Sequence, residues 1–108
     1  MDARTVDLHV HGHQRLEALA RANRVRQTRA VLKRRIADGD VSAADVILLH
    51  RWEVETMPVG DVLTSQRRWG DTRCRRFLTA MRMQESKTIG SMTERQRLAL
   101  AAGLCADP

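Results

Sequence analysis

Residues 14–37 read QRLEALARANRVRQTRAVLKRRIA, a run without glycine or proline in which alanine, leucine and arginine predominate. Such residues favour helical backbone, so the run predicts a long helix from about Gln14 to Ala37. Asp38-Gly39-Asp40 stops it, and Gly39 can take the left-handed conformation that closes a helix. Ala18, Ala22, Val25, Thr28, Leu32 and Ile36 recur at helical spacing as one narrow stripe. Only the last third of that stripe is strongly hydrophobic. The C-terminal half of the helix is therefore expected to dock on the body, with less to hold the N-terminal half. Arg15, Arg26, Arg29 and Lys33 form a second stripe beside the first. Residues 15–35 hold eight basic side chains against the single acid Glu17. A merely solvated face alternates sign to gain i,i+4 pairs, so this face points to phosphate contact.

The charge of the whole chain follows the same logic. Of its 108 residues, 17 are arginine and two are lysine, and the net charge is +6. Residues 15–35 carry +7, residues 36–66 carry −5, and residues 67–97 carry +6. A GC-rich codon bias raises arginine everywhere but does not segregate charge. Two basic blocks around an acidic one are the footprint of two phosphate-contacting surfaces and a polyanionic partner. The length suits one small domain, and a hydrophobic content of 43% is enough for a packed core. No apolar run approaches the roughly 18 residues of a membrane span, and no secretory signal is visible, so a cytoplasmic location without membrane contact is expected. Cys74 and Cys105 match neither a metal-ligand spacing nor a disulfide framework, and both are expected to be small buried hydrophobes.

Upstream of the long helix, residues 1–13 lack periodicity and are expected to be a flexible tail. His9, His11 and His13 would share a face if extended, but no carboxylate or cysteine follows at ligand spacing, so no metal is expected. Downstream, Ser42 with Asp45 marks the start of a short helix reaching about His50. Trp52 reads as a core anchor beside Val46, Leu48, Leu49 and Val54. Another short helix is predicted from Val59 to about Gln66, and a third over residues 71–82, where Cys74, Phe77, Leu78 and Met81 share a face. Residues 83–92 form a connector, and Thr93 with Gln96 is a capping-box pattern opening a last helix that Gly103 closes. The expectation is an all-α chain: one helical domain over 14–108, comprising the long helix and a helical body over 42–104.

No catalytic constellation is present, and no enzyme activity or cofactor is expected. The candidate site is Trp69-Gly70-Asp71, a glycine turn between two short helices that would expose backbone N–H groups at a helix N-terminus to a phosphate. Arg67, Arg68 and Arg73 surround it.

The stretch from Met57 to Leu100 resembles, without a gap, the actinobacterial integration host factor family. Met57, Val59, Leu63, Gly70, Thr79 and the closing Glu94-Arg95-Gln96-Arg97-Leu98-Ala99-Leu100 carry the likeness. Arg29-Ala30-Val31-Leu32-Lys33 resembles the end of that family's long basic helix, so the likeness covers roughly residues 28–104. It implies a helix–two-turns–helix core (helix-hairpin-helix-like) and a nucleoid-associated monomer. It also implies binding to double-stranded DNA with little sequence preference, through the long helix and the glycine hairpin. The residues it and the charge pattern nominate for DNA contact are Arg26, Arg29, Lys33, Arg67, Arg68, Gly70, Arg73, Lys87, Arg95 and Arg97. Two departures stand out. Asp71 replaces the lysine that tends to follow the hairpin glycine, where it would repel a phosphate or cap the helix. Thr88 and Gly90 replace an arginine-rich connector, a loss that Arg67, Arg68, Arg75 and Arg76 can offset. Two other readings stay open: an RNA- or ribosome-associated basic helical protein, and an interaction adaptor for an acidic protein partner.

Overall fold

The computed structural model describes the backbone over residues 3–49 and 51–106, with side chains over 12–49 and 51–106. It is all-α. Five α-helices follow in order: α1 (Ala3–Asp38), α2 (Ala43–Leu48), α3 (Val59–Thr64), α4 (Asp71–Ala80) and α5 (Glu94–Ala106). Short 3-10 turns lie at Trp52–Val54 and Ile89–Ser91. The sequence pattern places the start of the first helix near Gln14, whereas α1 is bounded at Ala3. His9, His11 and His50 lie outside the described side chains.

The caps fall where local chemistry requires them. Gly39 has φ +82, and the Asp40 N–H donates to the Arg35 carbonyl at 2.9 Å, closing α1. The Ser42 hydroxyl accepts from the Asp45 N–H at 3.0 Å at the start of α2. The Thr93 N–H donates to Gln96 Oε1 at 2.9 Å, while Thr93 Oγ1 accepts from the Gln96 N–H at 3.1 Å: a complete capping box. Gly103 does not close α5, which continues to Ala106. A Cβ at Gly103 would stand 3.2 Å from the Phe77 ring, so this glycine allows α5 to approach α4.

The core gathers Ile47, Met57, Leu63, Leu78, Ile89 and Leu100, all fully buried. Helix α2 packs on α5, and α3 bridges α2 and α4. Trp69 closes one end of this core, edge-on to Phe77 at 5.4 Å. Cys74 is buried as expected, and burial pushes its thiol pKa up. Cys105, expected to be buried, is exposed, because it lies on the last turn of α5 beyond the packed body. Trp52 is no core anchor either. It is half-buried on its 3-10 turn, with the Arg21 guanidinium stacked 4.2 Å above its ring.

Helix α1 buries Leu32 and Ile36 in the body, half-buries Ala22, Val25 and Thr28, and leaves Ala18 exposed. Its C-terminal half alone is docked, as the apolar stripe predicts. The rest projects, giving a radius of gyration of 18.0 Å and a long axis of 66 Å, where a compact chain of this size has a radius near ~13 Å.

The connector is laced to the first turn of α3 and to the segment before it. Val59 and Gly60 donate to the carbonyls of Lys87 and Glu85 at 2.7 and 3.0 Å, and Ile89 and Gly90 donate to those of Met57 and Glu55 at 3.0 and 2.7 Å. Gly90 is required there, since a Cβ would lie 2.9 Å from both the Glu55 carbonyl oxygen and its Cβ. An arginine at this position could not be accommodated without moving backbone. Gly90→Ala should therefore lower stability by about 1–3 kcal/mol through overpacking, measurable as a fall of several degrees in the calorimetric Tm.

Candidate nucleic-acid interface

The solvent face of α1 carries Arg15, Arg26 and Lys33, all exposed and close to one helical meridian. Arg26 makes a loose bond to Asn23 Oδ1 at 3.4 Å, and its charge stays in solvent. Arg29, expected on the same stripe, is turned towards the body. Its Nε donates to the Glu53 carbonyl at 3.4 Å and its Nη2 to the Thr56 hydroxyl. Beside it, the Glu53 carboxyl is held below its ordinary pKa by its own backbone N–H and then by Arg51, whose Nη2 is 3.4 Å away, with Arg24 adding to the effect. Arg21 and Arg29 thus fasten α1 to the turn at 52–56, leaving Arg15, Arg26 and Lys33 to face outward.

The turn between α3 and α4 gathers Arg67, Arg68, Gly70 and Arg73. Its geometry differs from the glycine turn expected. Gly70 has φ −85 and ψ −179, ordinary extended backbone, and a Cβ there would meet nothing within 4 Å. The left-handed residue is Arg68, at φ 73. Arg67 and Arg68 are exposed, whereas Arg73 lies half-buried with its guanidinium 4.4 Å above the Trp69 ring. Gly70 is the N-cap of α4 and has no side chain to cap the first-turn N–H groups at the positive end of the helix. Asp71 occupies the first helical position rather than the cap. It lines an acidic cleft of about 290 Å³ together with Asp61 and Glu85.

The remaining nominees divide. Lys87 is half-buried on the laced connector, and Arg95 is exposed on the first turn of α5. Arg97 is buried at 8% exposure, and its Nη2 donates to the Ile89 carbonyl at 3.0 Å. That role is internal: Arg97 fixes the second 3-10 turn to α5, and burial removes it from a phosphate surface. Sequence spacing carries a usable signal here, because Arg97 and Leu100 lie three apart on α5 and both are buried. Charge alone conceals it.

No protein-family model and no curated protein matches the chain. Among solved structures it is similar to sIHF, the Streptomyces integration host factor, in a structure of that protein bound to an 8 bp palindromic DNA. The two share 22% sequence identity with a TM-score of 0.70 over 77% of this chain and 96% of that one. The chain has the sIHF fold, in agreement with the resemblance carried by residues 28–104.

The division of α1 has a direct test. Arg29→Ala should cost about 1–2 kcal/mol by removing charged hydrogen bonds to Glu53 and Thr56. Arg26→Ala should stay within about 0.5 kcal/mol of the parent. Chemical denaturation of the two variants reads both values.

Proposed function

We propose that this chain is a non-enzymatic protein that binds double-stranded DNA with little sequence preference, as a nucleoid-associated monomer in the cytoplasm. The observation that carries the reading is the match to the sIHF fold, in a chain that leaves arginine in solvent on two separate surfaces. Phosphates are taken by Arg26 and Lys33 on α1, and by Arg67, Arg68 and Arg73 around the open N-terminus of α4. Lys87 and Arg95 contribute from the margins. Arg29 and Arg97 act indirectly, by holding α1 and the connector in place. The exposed groups are charged donors suited to backbone oxygens, which position a protein on a duplex without reading its sequence.

A salt series with random duplex tests this. If about five to eight phosphates are neutralised, log K against log salt should fall with a slope between about −4.5 and −7. The double variant Arg26→Glu with Lys33→Glu should lose binding while keeping its circular dichroism. Equal or tighter binding to structured RNA, or a slope near zero, would overturn the reading in favour of an RNA or an acidic-protein partner.

Asp71 supplies a second test. Because Gly70 is the cap, Asp71→Asn removes a charge beside the open N–H groups without removing a capping bond. The variant should bind duplex DNA more tightly than the parent at a nearly unchanged Tm. Unchanged affinity would make the α3–α4 turn purely structural.

A further inference from the structure

Among the described residues, the non-glycine residues with positive φ are Arg68 at 73° and Arg82 at 57°. Both are arginine, and both are exposed. Arg82 ends α4 in a fully formed Schellman turn. Its N–H donates to the Thr79 carbonyl at 3.0 Å, and the Met83 N–H donates to the Leu78 carbonyl at 2.9 Å. Glycine is the residue this position favours, because an L side chain is strained in the left-handed region. An arginine retained there occupies a place that local stability would assign to glycine, and strain of that kind gathers where a side chain is needed for something else.

The surroundings indicate what that is. Arg75, Arg76 and Thr79 are exposed on α4, and the exposed Arg82 follows two residues beyond its end. Thr72, Arg75, Arg76 and Thr79 line a shallow concavity of about 460 Å³ on that face. Arg75 pairs with Glu85 at 3.0 Å, but among the described residues neither Arg76 nor Arg82 forms an ion pair. The neighbouring cleft of Asp61, Asp71 and Glu85 repels phosphate. A strand leaving the α3–α4 turn would therefore be steered towards the arginine side of α4. Helix α4 is about 15 Å long, the axial rise of roughly four nucleotides of one strand.

We infer that Arg82 is a further phosphate contact, and that the exposed face of α4, from Arg68 through Arg76 to Arg82, is a continuous backbone-tracking ledge. The inference rests on the duplex-DNA reading above. Arg82→Gly relieves the left-handed strain while removing the charge, so stability and binding should move in opposite directions. The Tm should rise by roughly 2–5 °C. Duplex affinity should fall roughly three- to tenfold, with the salt slope shallower by about 0.9. Arg82→Lys should keep the parental slope. If Arg82→Gly binds with parental affinity and slope, the ledge does not reach Arg82 and the inference fails alone. If the parent itself does not bind random duplex, the functional reading fails and takes this one with it. A lower Tm in Arg82→Gly with an unchanged slope would assign Arg82 to the fold, as a cation at a helix C-terminus.

Discussion

Leu32 and Ile36 are the side chains that α1 buries in the body, and both lie near one end of a helix 36 residues long. Two anchors one turn apart hold a helix in place but do not fix the direction of a rod about 54 Å long. Direction comes from arginine: Arg21 stacked on Trp52, and Arg29 bonded to Glu53 and Thr56. The 52–56 turn that receives them is held by Arg51 on Glu53, and by the hydrogen bonds that Glu55 and Met57 accept from Gly90 and Ile89. The aim of α1 therefore depends on a connector far away in sequence. The tight passage at Gly90 belongs to the same chain of constraints.

That dependence gives the arginine excess a physical meaning beyond codon usage. A guanidinium is planar, stacks on an aromatic face, and offers several donors at fixed angles, whereas an ammonium is a strongly hydrated point charge. Arg21 over Trp52, Arg73 over Trp69 and Arg97 beneath the Ile89 carbonyl all use those properties. The two lysines occupy less demanding positions, Lys33 exposed and Lys87 half-buried on the connector. One residue type serves both as internal fastener and as external charge, and the same planar geometry suits carboxylate, carbonyl and phosphate oxygens alike.

The double use also marks what could be read from sequence. The helices were legible because propensity, caps and apolar spacing agree: Gly39, Ser42 and the Thr93/Gln96 box each do locally what their side chains favour. Phe77 and Leu78 were legible as core for the same reason. Arg29 and Arg97 were not, since a charge count cannot separate an arginine that crosses to a distant carbonyl from one in solvent. Gly70 stands where the sequence places it, at the turn that opens α4, and the left-handed conformation of that turn falls two residues earlier, on Arg68. Gly103 reads as a stop from its place near the chain's last helical turns, whereas its small size serves packing against Phe77. For Arg29, Arg97 and Gly103 a contact from another element, invisible to local pattern, decides the residue's role.

The N-terminal half of α1 poses a different problem from the docked half. Leu16 and Leu19 are 67% and 55% exposed, and among the described side chains those of residues 12–20 are all exposed. The helix there relies on propensity and on local pairs such as His13 with Glu17 at 3.0 Å. Further along, where the helix meets the body, like charges stand at neighbouring helical positions, Arg21 with Arg24 and Arg26 with Arg29, each pair opposing the helix by a few tenths of a kcal/mol, about as much as an ion pair supports it. In the proposed complex, phosphates beside the outward-facing Arg26 would offset that repulsion, which would link helix order to binding, and such linkage is reciprocal. Salt then acts on the two states in opposite senses. Screening relieves repulsion in the free helix and weakens the phosphate contacts in the bound one. On the duplex-DNA reading, helicity gained on binding should therefore be greatest at low salt, where the free helix is most strained by its own charge.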